Sequence, residues 1–449
     1  MKPVWGSKNA WRYGAAALLI GGWAMPAAAA DLGGDCCADL EERVAELEAT
    51  TARKGNRKVS LTVSGWVNES VMWWDDGHES NTYVGTNPVE QSRFRFVGEA
   101  KIDKDWSAGY TLEIGVWGAN AARWNQDSPD GSLNNGNTTA NTLVVRKSSW
   151  YVKSNTYGKV SVGQDATATY HLLDDADTTL TRNFYDAEGA PDYIQNFFLR
   201  TTTGAAVGNN LTWGNILRGF NNSTPGDDGR RNVVRYDSPT FAGFNVATAW
   251  GEDDIWDIAL IYKNTFGDFS FNGRAGYGQS TDGASTPCHG SGSSPDNALN
   301  CEWWGVSAQI QHVPTGLYAY GGYGNQHDGS NNAAVAAKIL DKDSETWFIQ
   351  GGIEKKWLPL GKTNFFGEYR RDDAGSFVSI NSSTGAATTV TQGANVKFWA
   401  VGAAQNIEAA ETTLYLLYQH ADGDVVLGSG ATPDLSSFSQ VVGGAKINF

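Results

Sequence analysis

The sequence predicts an all-β fold, a closed antiparallel barrel of sixteen strands that crosses a membrane, and three observations predict it. Runs with a period of two recur from Val59 to the last residue, the links between them alternate between tight and long, and the final run ends on an aromatic residue. In "SRFRFVGEAKI", Phe94, Phe96, Gly98, Ala100 and Ile102 alternate with Arg93, Arg95, Val97, Glu99 and Lys101, giving one apolar and one charged face. With 53 glycines and 12% aromatics the composition favours strands and turns, and a mean hydropathy of -0.39 excludes a helical membrane protein.

The chain opens on a separate signal. Residues 1–30 carry Lys2, Lys8 and Arg12, an apolar stretch from Gly14 to Met25, and small residues suited to cleavage after Ala30. That stretch falls short of the ~20 residues a membrane-spanning helix needs, so a secretory signal peptide is the reading. Loss of three basic residues takes the formal net charge from -15 to -18, which argues against nucleic acid as a partner.

Residues 31–58 form a second piece. Leu40, Val44 and Leu47 recur at helical spacing, with Asp39 placed to cap and Gly55 to end a short periplasmic helix. Alone it is too brief for stability, so either it docks or self-associates, or the segment is a loosely ordered leader. The four cysteines fit export: Cys288 and Cys301 flank a Gly/Ser/Pro/Asn loop that a disulfide would close, whereas the pairing of Cys36 and Cys37 stays open. No C-x-x-C supports zinc or redox chemistry, and no metal or cofactor is expected.

From 59 to 449 the chain reads as the barrel. Strands are expected at about 59–74, 91–103, 106–117, 141–154, 157–165, 230–238, 241–251, 254–264, 268–280, 302–313, 316–326, 343–357, 361–372, 395–407, 411–423 and 437–449. Tight links such as "DKD", "NTY", "SPT" and "PTG" alternate with mostly long polar ones, giving periplasmic turns, external loops and two periplasmic termini. The stretch 209–217 resembles a strand, but counting it would reverse every later direction, so 166–229 is assigned wholly to one loop. Trp106, Ala108, Tyr110, Leu112, Ile114 and Val116 would face oil while Thr111 and Glu113 face water. Val441, Gly443, Ala445, Ile447 and Phe449 repeat the pattern in a last strand that resembles the terminal signature read by outer-membrane assembly machinery.

The stretches "CCADLEERVAELEATTARKGNRKVSLTVSGWVNESVMWWDDG", "SRFRFVGEAKI", "TYGKVSVGQ" and "RYDSPTFAGF" together resemble the general porins of alphaproteobacterial outer membranes. The resemblance implies a homotrimer of sixteen-stranded barrels in contact with membrane lipid and lipopolysaccharide. It also implies passive diffusion of small hydrophilic solutes and ions, and a third external loop folded inward to narrow each pore. Two departures bear on pore width: 197–229 extends that loop, and the link after Gly251 is very short.

The charges supply a candidate site. Arg93, Arg95, Lys101, Arg146, Arg231, Arg235, Arg274 and Arg370 fall on inward faces, where water keeps them hydrated. The loop carries Asp174, Asp175, Asp177, Asp186, Glu188 and Asp192, and carboxylates facing arginines across a narrow gap would orient polar solutes. For any one of these residues an ordinary exposed ion pair is the competing reading. Asp75, Asp76, Glu79 and residues 252–254 fall at the external rim, as solvated charges or as divalent-cation ligands between lipid headgroups. An enzyme lacks support, since no G-x-S-x-G, H-E-x-x-H or P-loop occurs and the six histidines are scattered. A substrate-specific channel or surface receptor is the nearer rival, with Phe184, Tyr185 and Trp213 available as aromatic contacts, and an adhesin is the third.

Overall fold

A computed structural model of the protein describes residues 59–129, 131, 143–186, 191–217, 224–251, 254–281, 300–329, 336–380 and 387–449. The expected signal segment and short helix, Cys36, Cys37, Glu188 and Cys288 lie outside the described residues.

Among the described residues eighteen strands form one antiparallel sheet. They begin with β1 (Ser60–Asp75), β2 (Ser80–Thr86), β3 (Arg93–Lys101), β4 (Trp106–Val116), β5 (Leu143–Ser154) and β6 (Gly158–Ala166). After a long link come β7 (Arg230–Asp237), β8 (Phe244–Gly251), β9 (Ile255–Phe266), β10 (Phe269–Ser280), β11 (Cys301–His312) and β12 (Leu317–Asp328). The last are β13 (Asp343–Leu358), β14 (Gly361–Ala374), β15 (Phe377–Ile380), β16 (Ala387–Ile407), β17 (Thr412–Leu427) and β18 (Phe438–Asn448).

Sixteen of these strands close the ring and two short ones are added to it. Trp66–Asp75 of β1 pairs with Ser439–Asn448 of β18, so the sheet has no open edge there. On its other edge β1 pairs with β3 over Ser60–Trp66 and with β2 over Glu69–Asp75, so those two share one neighbour. In the same way β14 and β15 share one edge of β16. Neither short strand was expected from the sequence; each prolongs a ladder where its partner outruns the ring.

Alternation sets the two faces. Leu112, Ile258, Leu260, Val306, Ile310, Ile349, Val401 and Leu416 are all exposed and point outward, an apolar band larger than a water-soluble surface carries. Cross-strand aromatic pairs stand at both ends of it. Near the tight turns lie Trp106 with Tyr157 (6.2 Å) and Trp357 with Phe365 (5.9 Å). Toward the long links lie Trp304 with Tyr323 (5.1 Å) and Trp399 with Tyr418 (5.0 Å). No helix among the described residues is long and apolar enough to cross a membrane.

The hydrophobic core is inside the ring. Trp74, Phe348, Phe366, Phe398, Tyr415 and Phe438 project from β1 and β12–β18 and pack against Phe184, Tyr185, Phe197 and Trp213 of the link between β6 and β7. Phe184 stacks on Tyr415 at 4.7 Å and Trp74 meets Phe197 at 5.0 Å. The opposite inner wall, β3–β7, contributes no residue to this cluster among the described residues.

Candidate functional site

The segment between β6 and β7 is tied to inward-facing side chains of many strands. The Asp257 carboxylate of β9 accepts the backbone N–H groups of Ala168 (3.0 Å) and Thr169 (2.7 Å). Asn272 donates to the carbonyls of Asp175 and Ala176, Ser307 to that of Leu172, and Tyr320 to that of Leu173. Farther along, Glu354 accepts from Leu180 N–H (2.7 Å), while Asn68 and Lys446 donate to the Asn183 carbonyl and side-chain oxygen. These partners run from β9 round to β1, so backbone groups that would otherwise be buried and unpaired are satisfied by the wall. Between Ala166 and Arg230 the described residues hold no strand of the ring; Trp213–Ile216 is a short helix.

The return limb of this segment lies flush on the wall because three glycines meet. A Cβ on Gly324 would sit 1.6 Å from the Pro225 carbonyl oxygen, and one on Gly226 would sit 2.7 Å from the Gly324 Cα. Gly305 completes the seam, 3.1 Å from the Gly226 oxygen by the same construction.

Arg182 organises the loop charges. Its guanidinium bonds Asp174 (3.1 Å), Asp175 (3.1 Å) and Asp186, and reaches Glu90 at 3.6 Å. Glu90, just before β3, also meets Arg93 (3.2 Å) and Lys446 (3.8 Å). Burial pushes the Glu90 carboxyl up, but Lys446, Arg93 and Arg182 outweigh it and hold it down at about 2.

This arrangement differs from the expected row of acids facing arginines across water. Asp174, Asp177, Asp186 and Asp192 are buried; Asp177 accepts from the Thr179 and Thr181 hydroxyls. Asp175, 40% exposed, bonds directly to Arg274 at 3.1 Å. The aromatics considered as solute contacts, Phe184, Tyr185 and Trp213, are core residues at 1–2% exposure.

Buried beside Asp174, Asp227 behaves oppositely to Glu90. Burial, with Asp174 and Asp175 adding to it, raises its carboxyl well above 3.8, against hydrogen bonds from the Leu173 and Leu172 backbone. Its stabilising contribution is therefore full below the ordinary value and declines as pH rises toward the raised one, whereas Glu90 changes only below its ordinary 4.5. Between pH 5 and 8 the loop is expected to become more susceptible to proteolysis as pH rises, and Asp227→Asn to flatten that slope. Parallel profiles for the two proteins would refute the assignment.

The basic residues of the wall separate into groups. Glu113, 1% exposed, is shared by Arg95, by Arg146 at 2.9 Å and by Arg93 at 3.5 Å. Strict alternation from outward Trp150 would turn Arg146 outward; a bulge opposite Glu113 and Ile114 instead brings both Arg146 and Lys147 to the inner side. Lys147 meets Asp165 at 2.9 Å. Arg235 and Asp237, like Arg370 and Asp372, pair two residues apart on one strand face, both at 2.7 Å. Arg231 pairs with Asp228, and Lys101 is exposed at the end of β3.

Arg370 corrects the sequence reading. It points inward, yet it is 0% exposed because Tyr185, bonded to Glu368, covers that wall. Asp76 is likewise structural: it accepts from the N–H groups of His78 and Glu79 and from Gln126. No metal-binding group of acids, histidines or cysteines occurs among the described residues. Cys301 is buried and disulfide-bonded.

The uncovered wall holds an open hollow of about 650 Å³ bounded by β3–β7 and the turns at Ser154–Gly158 and Ser238–Thr240. Arg95, Lys147, Lys153, Lys159 and Arg235 line it against two carboxylates, Asp165 and Asp237. The sequence reading did not single out Lys153 and Lys159, although their alternation with outward Trp150, Val152 and Val160 signals it. Lys147, three residues from outward Trp150, carries the same signal; it is its neighbour Arg146 that depends on the bulge.

A family model described as Gram-negative porin matches residues 14–426. Among solved structures, the anion-selective porin from Comamonas acidovorans is 15% identical with a TM-score of 0.53, covering 87% of this chain and 100% of its own. The in-vitro folded trimer form of OmpT from Vibrio cholerae is 14% identical with a TM-score of 0.50, covering 87% and 99%. No curated protein sequence matches the chain.

Proposed function

Since the chain belongs to the Gram-negative porin family and is an outer-membrane diffusion channel, we propose that its solutes pass along the β3–β7 wall and that the pore prefers anions. The observation that carries this is the hollow on that wall, where five cations stand against two carboxylates. In a narrow low-dielectric passage such an excess raises the local anion concentration. The net charge of -15 does not oppose it, because the loop acids Asp174, Asp177, Asp186 and Asp192 are buried.

The segment 167–229 acts as an inward-folded third loop that narrows the pore; its hydrogen bonds to inner side chains from β9 to β1 support this. Tight turns and both termini face the periplasm, with residues 1–30 removed on export and Cys288 bonded to Cys301. The protein works as a trimer. Glu69, an exposed carboxyl on the outward face of β1 between Val67 and Val71, supports that: against hydrocarbon it is costly, whereas a neighbouring subunit can cover it.

The family and fold are those of channels, and the buried aromatics favour general diffusion over sugar-specific transport. Planar-bilayer reversal potentials under a potassium chloride gradient are expected to show the anion sign, weakening as salt rises and screening shortens. Closures in three equal steps would accompany it. A cation sign would overturn the proposal.

A further inference from the structure

Two lysines on the uncovered wall stand directly opposite each other. Lys153 of β5 and Lys159 of β6 are register partners on the inner face, an arrangement that is destabilising for like charges unless something negative lies between. Lys159 approaches Asp237 at 3.6 Å, but Arg235 already grips that carboxylate at 2.7 Å. Lys153 has no ion-pair partner among the described residues, and it is exposed.

Within this hollow the excess continues, while Glu99, Asp103 and Asp105 line an adjoining one that Lys153 also borders. Arg95 shares the single Glu113 carboxylate with Arg93 and Arg146, so its neutralisation is partial. Lys147 spends its charge on Asp165, and five cations thus face two lining carboxylates. Hydroxyl and amide groups of Ser154, Asn155, Ser238 and Thr240 complete the wall, with no aromatic ring among the lining residues. A volume of about 650 Å³ is in the range of small-molecule sites.

Resting on the anion preference proposed above, we infer that this hollow is a binding site for small divalent oxyanions, held between Lys153 and Lys159 with Arg235 and Lys147 at its sides. Two negative charges on one compact group offset both lysines at once, which a single chloride does not. Several oxygens also accept from ammonium and guanidinium donors together. The solute dwells in the hollow on its way through, so its flux saturates while that of chloride does not.

Inorganic phosphate at pH 8 tests this in planar bilayers at fixed chloride and ionic strength. Wild-type channels are expected to lose chloride current saturably, with half-effect in the millimolar range that weak ionic sites show. In Lys153→Gln/Lys159→Gln the half-effect concentration should rise about tenfold. Folded protein in detergent gives a second reading: phosphate should raise the thermal midpoint of the wild type, and less so that of the variant. Linear phosphate current without block, at a reversal potential that keeps the anion sign, overturns the binding site and leaves the selectivity standing. A cation sign in wild type removes both. Equal block in wild type and variant overturns the assignment to these lysines.

Discussion

Arg182→Met is expected to free the loop from the barrel wall, raising single-channel conductance and making the open current noisy. The guanidinium is 17% exposed and holds Asp174, Asp175 and Asp186 of its own loop together with Glu90 from the segment before β3. Methionine fills much of the same space without the charge, leaving Asp174 at 0% and Asp186 at 3% exposure without that cation. Removing one member of a buried ionic cluster costs about 3–5 kcal/mol, more than local docking of a segment usually has to spare. The carboxylates then turn toward water, so the anion preference should fall as conductance rises. Arg182→Lys keeps the charge but not the fork, and should give an intermediate phenotype. Unchanged conductance, noise and selectivity in the methionine variant would show that the loop is held by other contacts.

Gly324→Val is expected to displace the return limb of the loop while leaving the barrel itself folded. Valine suits a strand better than glycine does, so β12 gains locally. The added Cβ, however, falls 1.6 Å from the Pro225 oxygen and 2.6 Å from its carbonyl carbon, and backbone at that distance has to move. Gly351→Val is the matched control, since its Cβ would find only the Tyr318 oxygen, at 4.0 Å. The first variant should raise conductance and expose 224–229 to protease, the second do neither, and both should keep the heat-resistant electrophoretic form of a folded barrel. Identical behaviour of the two would mean that the limb does not depend on the seam.

What the sequence made legible follows from one geometric rule. Period two, with links of alternating length, yielded the sixteen strands of the ring, because every ring strand has oil on one side. β2 and β15 escaped it, since "SNTYVGT" and "FVSI" prolong ladders at the rim. Inward direction was legible for Arg93, Arg95, Arg235 and Arg370, but contact with water was not. Whether an inward residue meets solvent depends on which wall the loop covers, and that is decided by aromatic packing of Phe184, Tyr185 and Phe197 on β12–β18.

Other parts of the site had no periodic signal at all. Arg182 sits in a stretch without regular alternation, and its partners come from residues 90, 174, 175 and 186. The Gly226–Gly305–Gly324 seam joins three glycines that nothing in the chain order relates. The pairs Arg235–Asp237 and Arg370–Asp372 were readable in principle, because residues two apart on a strand share a face.

The joint between β1 and β18 has a consequence for how the molecule is made. Every other edge of the ring is closed by a strand that comes next along the ring, whereas one edge of Trp66–Asp75 waits for Ser439–Asn448 to be delivered. Until then two bare strand margins offer N–H and C=O groups to any passing chain. An escort that occupies those margins until the final strand arrives is expected to raise the yield of channels, and crowding by unescorted copies to produce mutual entanglement first.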